Sequence, residues 1–152
     1  RGPAVHAAQA ELVPGRGLLG DHRAARLRDG DAARKRELTL IQAEHLPLLA
    51  RWCGVDGAID PLRLRRNLVV AGLNLLAMRS PFADRPLVWR LGDEALIEVT
   101  GPCDPCSRME AELGPGGWQA MRGHGGVTAR VLAGGVVRVG DAVRLGDPPR
   151  GD

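Results

Sequence analysis

Val127-Thr128-Ala129-Arg130-Val131-Leu132-Ala133-Gly134-Gly135-Val136-Val137-Arg138-Val139-Gly140-Asp141-Ala142-Val143-Arg144-Leu145 carries the pattern from which the fold is read. Valine recurs through the stretch, and glycine breaks it at Gly134-Gly135 and at Gly140-Asp141, so it predicts short strands over 127–132, 136–139 and 142–145. Strands this short, turned by glycine, leave many unpaired edges unless the sheet curls toward closure. Upstream, Leu87–Leu91, Gly92-Asp93 and Ala95–Thr100 read as a hairpin whose Gly-Asp order fits a II′ turn. The chain is therefore expected to be mostly β, a small closed or partly closed β-barrel with a few short peripheral helices.

Between the hairpin and the closing strands lies Gly101-Pro102-Cys103-Asp104-Pro105-Cys106-Ser107-Arg108-Met109-Glu110. Two cysteines cross a Pro-stiffened turn, and Ser107 with Glu110 has the spacing of a capping box, so a helix is predicted over 108–113, ended by Gly114-Pro115. Cys106 then sits at a helix mouth beside Arg108, a setting that favours thiolate over thiol and marks it as a ligand or nucleophile. Gly116–Gly126 reads as a glycine-rich loop carrying Trp118, Arg122 and His124.

Toward the N-terminus, strands are predicted over 5–13 and 36–41. Gln42–Trp52 follows as a helix, with Pro47 in its first turn and Gly54 as its stop. Leu46, Leu49, Ala50 and Cys53 share one face at helical spacing, which marks Cys53 as a buried core cysteine and leaves His45 on the surface. Gly15–Arg23 is a glycine-rich loop delivering Asp21, His22 and Arg23. Arg63-Leu64-Arg65-Arg66-Asn67 is read as a basic run feeding directly into the strand Leu68–Val70, either a solvated edge or a clamp for an anion.

The 152 residues are 44% hydrophobic, enough for one core, and one domain is expected over 1–145 with a flexible tail at 146–152. The chain opens on Arg1 rather than Met, which leaves room for a first strand before residue 1. Net charge is only +3, and the basic side chains are arginines apart from Lys35. Phe82, Trp52, Trp89 and Trp118 are the whole aromatic complement, too few for a platform that stacks single-stranded nucleic acid. No apolar window approaches the length of a membrane span and no signal peptide is evident. Three cysteines, an odd number, argue for a reducing, cytoplasmic setting.

Spacing alone leaves Cys103 and Cys106 open to four readings. A zinc site needs further ligands, such as Cys53 and His124. A thioredoxin-like dithiol needs an α/β context and a first cysteine at the helix start. One thiolate can serve a soft transition metal whose other ligands belong to an organic cofactor, with arginines on the cofactor's phosphate. Two ordinary cysteines at a turn complete the set.

Five segments in order resemble one known family, the MOSC domain of molybdenum-cofactor proteins. Gly17–Arg23 is similar to its glycine, acid and basic loop, with His22 and Arg23 in exchanged order. Glu37–Glu44 is similar to its strand-to-helix segment and Arg65–Gly72 to its basic, Asn and strand segment. Gly101–Cys106 resembles the cysteine segment, and Gly125–Val143 the closing strands. The resemblance implies a barrel that binds the molybdenum cofactor (Mo-molybdopterin), independent of pyridoxal phosphate, and an oxidoreductase acting on small N-hydroxylated substrates such as hydroxylamines, amidoximes and N-hydroxylated bases. It further implies Cys106 as molybdenum ligand and Cys103 as its accessory. Arg65, Asn67, Thr39, Gln42 and Arg23 become cofactor contacts, and Asp21, His22 or His124 proton carriers. No iron–sulfur or flavin motif is present, so an external electron-donor protein is expected, with no membrane or nucleic-acid partner. The alternative is a cofactor carrier or sulfur-transfer module that uses Cys103 or Cys106 without substrate turnover; a domain without metal is a further one.

Overall fold

Runs of valine, leucine and isoleucine build the strands, and a computed structural model describes the protein over residues 6–20 and 35–148. The strands are β1 (Gln9–Val13), β2 (Gly17–Leu18), β3 (Leu38–Gln42), β4 (Leu68–Val70), β5 (Val88–Leu91), β6 (Ala95–Pro102), β7 (Val127–Ala133), β8 (Gly135–Arg138) and β9 (Val143–Gly146). Six of them form a curled sheet in the order β4-β3-β7-β6-β5-β9, and β2-β1-β8 form a second, smaller sheet. The architecture is the mostly β, partly closed barrel that the valine-rich stretch predicts.

Where the chain leaves β7 for β8 it also changes sheets, and glycine makes that corner possible. A Cβ on Gly134 would stand 2.8 Å from the Leu12 carbonyl oxygen, and one on Gly135 2.8 Å from Glu94 Cβ. Register shifts between Leu96 and Ile97 and between Val99 and Gly101 mark irregularities in the β6–β7 ladder, where bulges bend a sheet toward closure. In the β5–β6 hairpin, Leu91 pairs with Ala95, so three residues turn the chain rather than the two of a II′ turn. Gly146, assigned to the tail by sequence, pairs with Val88 in the sheet.

Successive residues of β3 serve different interiors. Leu38 and Leu40 point into the barrel core with Val99, Val127 and Ile97, whereas Ile41 joins a second core built by helices. That second core is supplied by α1 (His45–Cys53), α2 (Pro61–Leu64), α3 (Arg108–Leu113) and α4 (Gly117–Met121), through Leu46, Leu49, Leu64, Met109 and Met121. Burial of a single Leu such as Leu49, wholly enclosed, contributes about 1.5–3 kcal/mol.

Helices correct the sequence reading in three places. The basic run does not enter its strand directly: Asp60 caps α2 by accepting from the Leu62 N–H at 2.9 Å, Pro61 opens the helix, and two of the arginines fall inside or at the end of it. The glycine-rich 116–126 segment contains α4. Cys53 lies at the margin of the second core, half-buried rather than enclosed, because α1 ends there at left-handed Gly54. β3 and β4 pair in parallel, and the α1–α2 crossover between them makes that possible. Among the described residues no helix is long and apolar enough to cross a membrane.

Candidate functional site

The cysteine segment begins where β6 ends. Cys103 is buried at 3% exposure; its N–H donates to the Gly126 carbonyl at 2.9 Å, and Arg36 Nη2 lies 3.7 Å from its Sγ in hydrogen-bonding geometry. Three residues on, Cys106 is exposed, and all three cysteines of the chain are free thiols. The Cys106 carbonyl accepts from Met109 N–H at 3.0 Å, so the helical turn already starts at Cys106.

That geometry overturns the capping box. Ser107 stands at the cap position but has helical angles, φ −57° and ψ −23°, and makes no side-chain cap. A capping hydroxyl reaches the third helical N–H from an extended backbone, which Ser107 lacks. Glu110 turns the other way, and its Oε1 accepts from the N–H groups of Gly116 and Gly117, capping α4 instead.

Opposite Cys103 runs the glycine pair that precedes β7. A Cβ on Gly126 (φ +89°) would fall 1.9 Å from the Leu40 carbonyl oxygen, and one on Gly125 2.6 Å from the Cys103 carbonyl oxygen. Backbones therefore meet there with no side chain between them, and Arg66 locks the loop by donating from Nε to Gly125 O and from Nη1 to Leu64 O, both at 2.7 Å.

The basic run splits three ways rather than forming one clamp. Arg63 is engaged by Glu112, with Nε 2.9 Å from Oε1 and Nη2 2.6 Å from the backbone oxygen. Arg66 is spent on Gly125 and Leu64. Arg65 stands exposed, the one non-glycine residue with positive φ (55°) among the described residues, and its guanidinium has no hydrogen-bond or ion-pair partner among them. A left-handed non-glycine residue costs about 1–2 kcal/mol, and here that conformation closes α2 and aims the chain into β4.

Asn67 and Thr39 bind each other. Asn67 Oδ1 accepts from Thr39 N at 2.9 Å and Thr39 Oγ1 at 3.1 Å, while Asn67 N donates to Thr39 Oγ1 at 3.0 Å. Thr39 is wholly buried, so its hydroxyl serves the β3–β4 junction. Half-buried Gln42 accepts from Leu75 N at 3.3 Å. Glu44 accepts from Gly72 N at 2.9 Å, and that backbone hydrogen bond holds its carboxyl below the usual range. Asp21, His22 and Arg23 lie outside the described residues.

Cys103, Arg36, Arg66, Gly125, Gly126, Asn67 and Thr39 are thus joined where β3, β6 and β7 meet. Sequence reading missed Arg36, Arg66 and the glycine pair as members of this group; the Gly125-Gly126 doublet before a strand was the available signal. Among the described residues no three or more His, Cys, Asp or Glu side chains come together as a metal site.

A half-barrel with a cysteine-bearing loop at the end of β6 defines the class of this protein. A model of the MOSC domain matches residues 19–144, and the chain belongs to the MOSC domain family, whose members are related to the molybdenum cofactor. Among solved structures it is similar to the YuaD protein from Bacillus subtilis, with 18% identity, a TM-score of 0.69, and coverage of 91% of this chain and 85% of that one. It is also similar to YiiM from Escherichia coli (24% identity, TM-score 0.67, covering 91% and 62%) and to YiiM from Geobacillus stearothermophilus (21%, 0.62, covering 75% and 56%). The match therefore spans less than two thirds of either YiiM chain. No match was found among curated proteins.

Proposed function

We propose that this MOSC domain binds the molybdenum cofactor and reduces small N-hydroxylated compounds, with Cys106 as the protein's ligand to the metal. The observation that carries the reading is the contrast within the cysteine segment: Cys103 is buried and tied to Gly126 and Arg36, while Cys106 is the exposed thiol of the pair.

The residues present fit the group. A single exposed thiol, with no cluster of protein ligands around it among the described residues, suits a soft metal whose remaining ligands come with an organic cofactor. Arg65, exposed and without a partner among the described residues, suits a phosphate, because a guanidinium fork matches phosphate oxygens. When bound, the cofactor supplies a centre that can take up and release two electrons. The chain's part is to hold it. Arg36 and Gly126 fix Cys103 and so set where the loop to Cys106 begins; Asn67 and Thr39 fix the strand junction behind Arg65. Asp21, His22 and Arg23 are retained as proton carriers and cofactor contact. Net reduction breaks the N–O bond and takes up two electrons and two protons to give the amine and water. With no cysteine array for an iron–sulfur cluster in the chain, the electrons come from a partner protein.

Metal analysis of protein made in a molybdenum-sufficient host, with reduction of an N-hydroxylated base by an artificial donor, tests the reading. Cys106→Ala is expected to lose molybdenum and at least about 100-fold in activity, the scale on which metal-site changes act. Molybdenum and turnover retained in that variant would remove the ligand assignment. Stable persulfide on Cys103 or Cys106 with no reductase activity would favour the sulfur-transfer alternative.

A further inference from the structure

On the face of the second core, away from the cysteine segment in sequence, three aromatic side chains converge. His45 opens α1 and Trp52 lies two turns later on the same helix, while His124 comes from the loop between α4 and β7. The His45 and His124 ring centres are 4.7 Å apart with planes at 59°, and the Trp52 and His124 rings meet edge-on at 4.9 Å. Both imidazoles are half-buried and Trp52 is 51% exposed, so solvent reaches the group.

We propose that His45 and His124 form a two-imidazole binding site for a first-row divalent metal of borderline softness, such as Ni(II) or Zn(II). A metal bonds an imidazole nitrogen at about 2.0–2.1 Å, which puts it about 3.2 Å from the ring centre. Two rings on neighbouring coordination positions then have centres about 4.5–5.2 Å apart, and the observed spacing falls within that range. His124 Nδ1 lies 3.1 Å from the Arg122 carbonyl oxygen, which can only accept, so Nδ1 carries the proton and the Nε2 lone pair is left for a metal. A second hydrogen bond of this kind orients most metal-binding histidines.

The surrounding charge agrees. His45 is half-buried and faces His124. Glu44 brings a carboxylate beside it. Arg122, two residues before His124, stacks over the Trp118 ring, 5.4 Å from its centre, and hydrogen-bonds Gln119. Solvent would complete the coordination shell. Since His124 adjoins the Gly125-Gly126 pair, a bound metal would tie α1 to the loop that holds Cys103, and its binding does not depend on the cofactor.

Ni(II) is the probe of choice, because Cu(II) would oxidise the exposed Cys106. Titrated into the intact, untagged chain, Ni(II) should quench tryptophan fluorescence saturably, and Zn(II) should raise the thermal midpoint, since a ligand of the folded state stabilises it by mass action. Trp52→Phe should lose most of the quenching and keep the Zn(II) shift. Cys106→Ala, and His6→Gln at the exposed histidine 3.4 Å from Asp60, should keep both responses. His45→Gln, His124→Gln and the double variant should lose them. Both responses persisting in the double variant, their loss in Cys106→Ala, or their absence from the unmodified chain overturns the site. Ni(II) should also broaden the His45 and His124 ring-proton resonances of the unmodified chain, a readout that relies on no variant folding; sharp resonances at saturating Ni(II) would equally overturn the site.

Discussion

Gly123 and Gly126 are three residues apart, both with positive φ, yet they answer to different demands. Gly123 (φ +76°) has open space where a Cβ would stand, whereas at Gly126 the Leu40 carbonyl already occupies it. Gly123→Ala is expected to cost only the left-handed penalty of about 1–2 kcal/mol. Gly126→Ala adds a backbone collision and should cost well over about 2 kcal/mol, with loss of the Cys103–Gly126 hydrogen bond; urea unfolding of the two variants side by side measures the difference. Position also separates the two cysteines, which differ in burial because only Cys103 directly follows β6 and is tied to Gly126. The doublet Gly125-Gly126 is visible in the chain as a loop feature. Its close approach to Leu40 and Cys103 is not, since both partners are distant in sequence.

Short helices depend on what caps them, because a helix of five or six residues has little propagation to offset its nucleation. In α4 (Gly117–Met121) the cap comes from the preceding helix, through Glu110. Glu110→Ala should destabilise the protein by about 1 kcal/mol and speed hydrogen exchange at Gly116 and Gly117, while Ser107→Ala, which removes no cap, should change neither. An equal loss in both variants would restore the capping box inferred from sequence. Asp60-Pro61 and Gly54 show the opposite case: a side-chain cap with Pro at the first helical position, and glycine at a helix end, are local signals that only need neighbours along the chain. Gly54 is legible as a stop, whereas the start at Asp60-Pro61 is masked by the arginines that follow, which resemble a surface strand.

Across the molecule, two interiors share one strand. Ile97 belongs to the barrel core and Leu49 to the helical core, and both are wholly buried. Each substitution to Ala should cost about 2–5 kcal/mol. The two costs, measured by urea unfolding, should add to within about 0.5 kcal/mol if the cores are separate; strong coupling in the double variant would mean that they act as one. Alternation, glycine punctuation and the order of five motifs are enough to read strands, hairpin and family from the chain, because each is set by residues near one another in sequence. The parallel pairing of β3 with β4, the change of sheet at Gly134, the burial of Cys103 against Arg36 and Gly126, the three separate fates of Arg63, Arg65 and Arg66, and the meeting of His45 with His124 all depend on packing between segments far apart in the chain. Periodicity carries no record of such contacts: it says which side of an element is apolar, whereas the partner on that side is chosen only when the whole core closes.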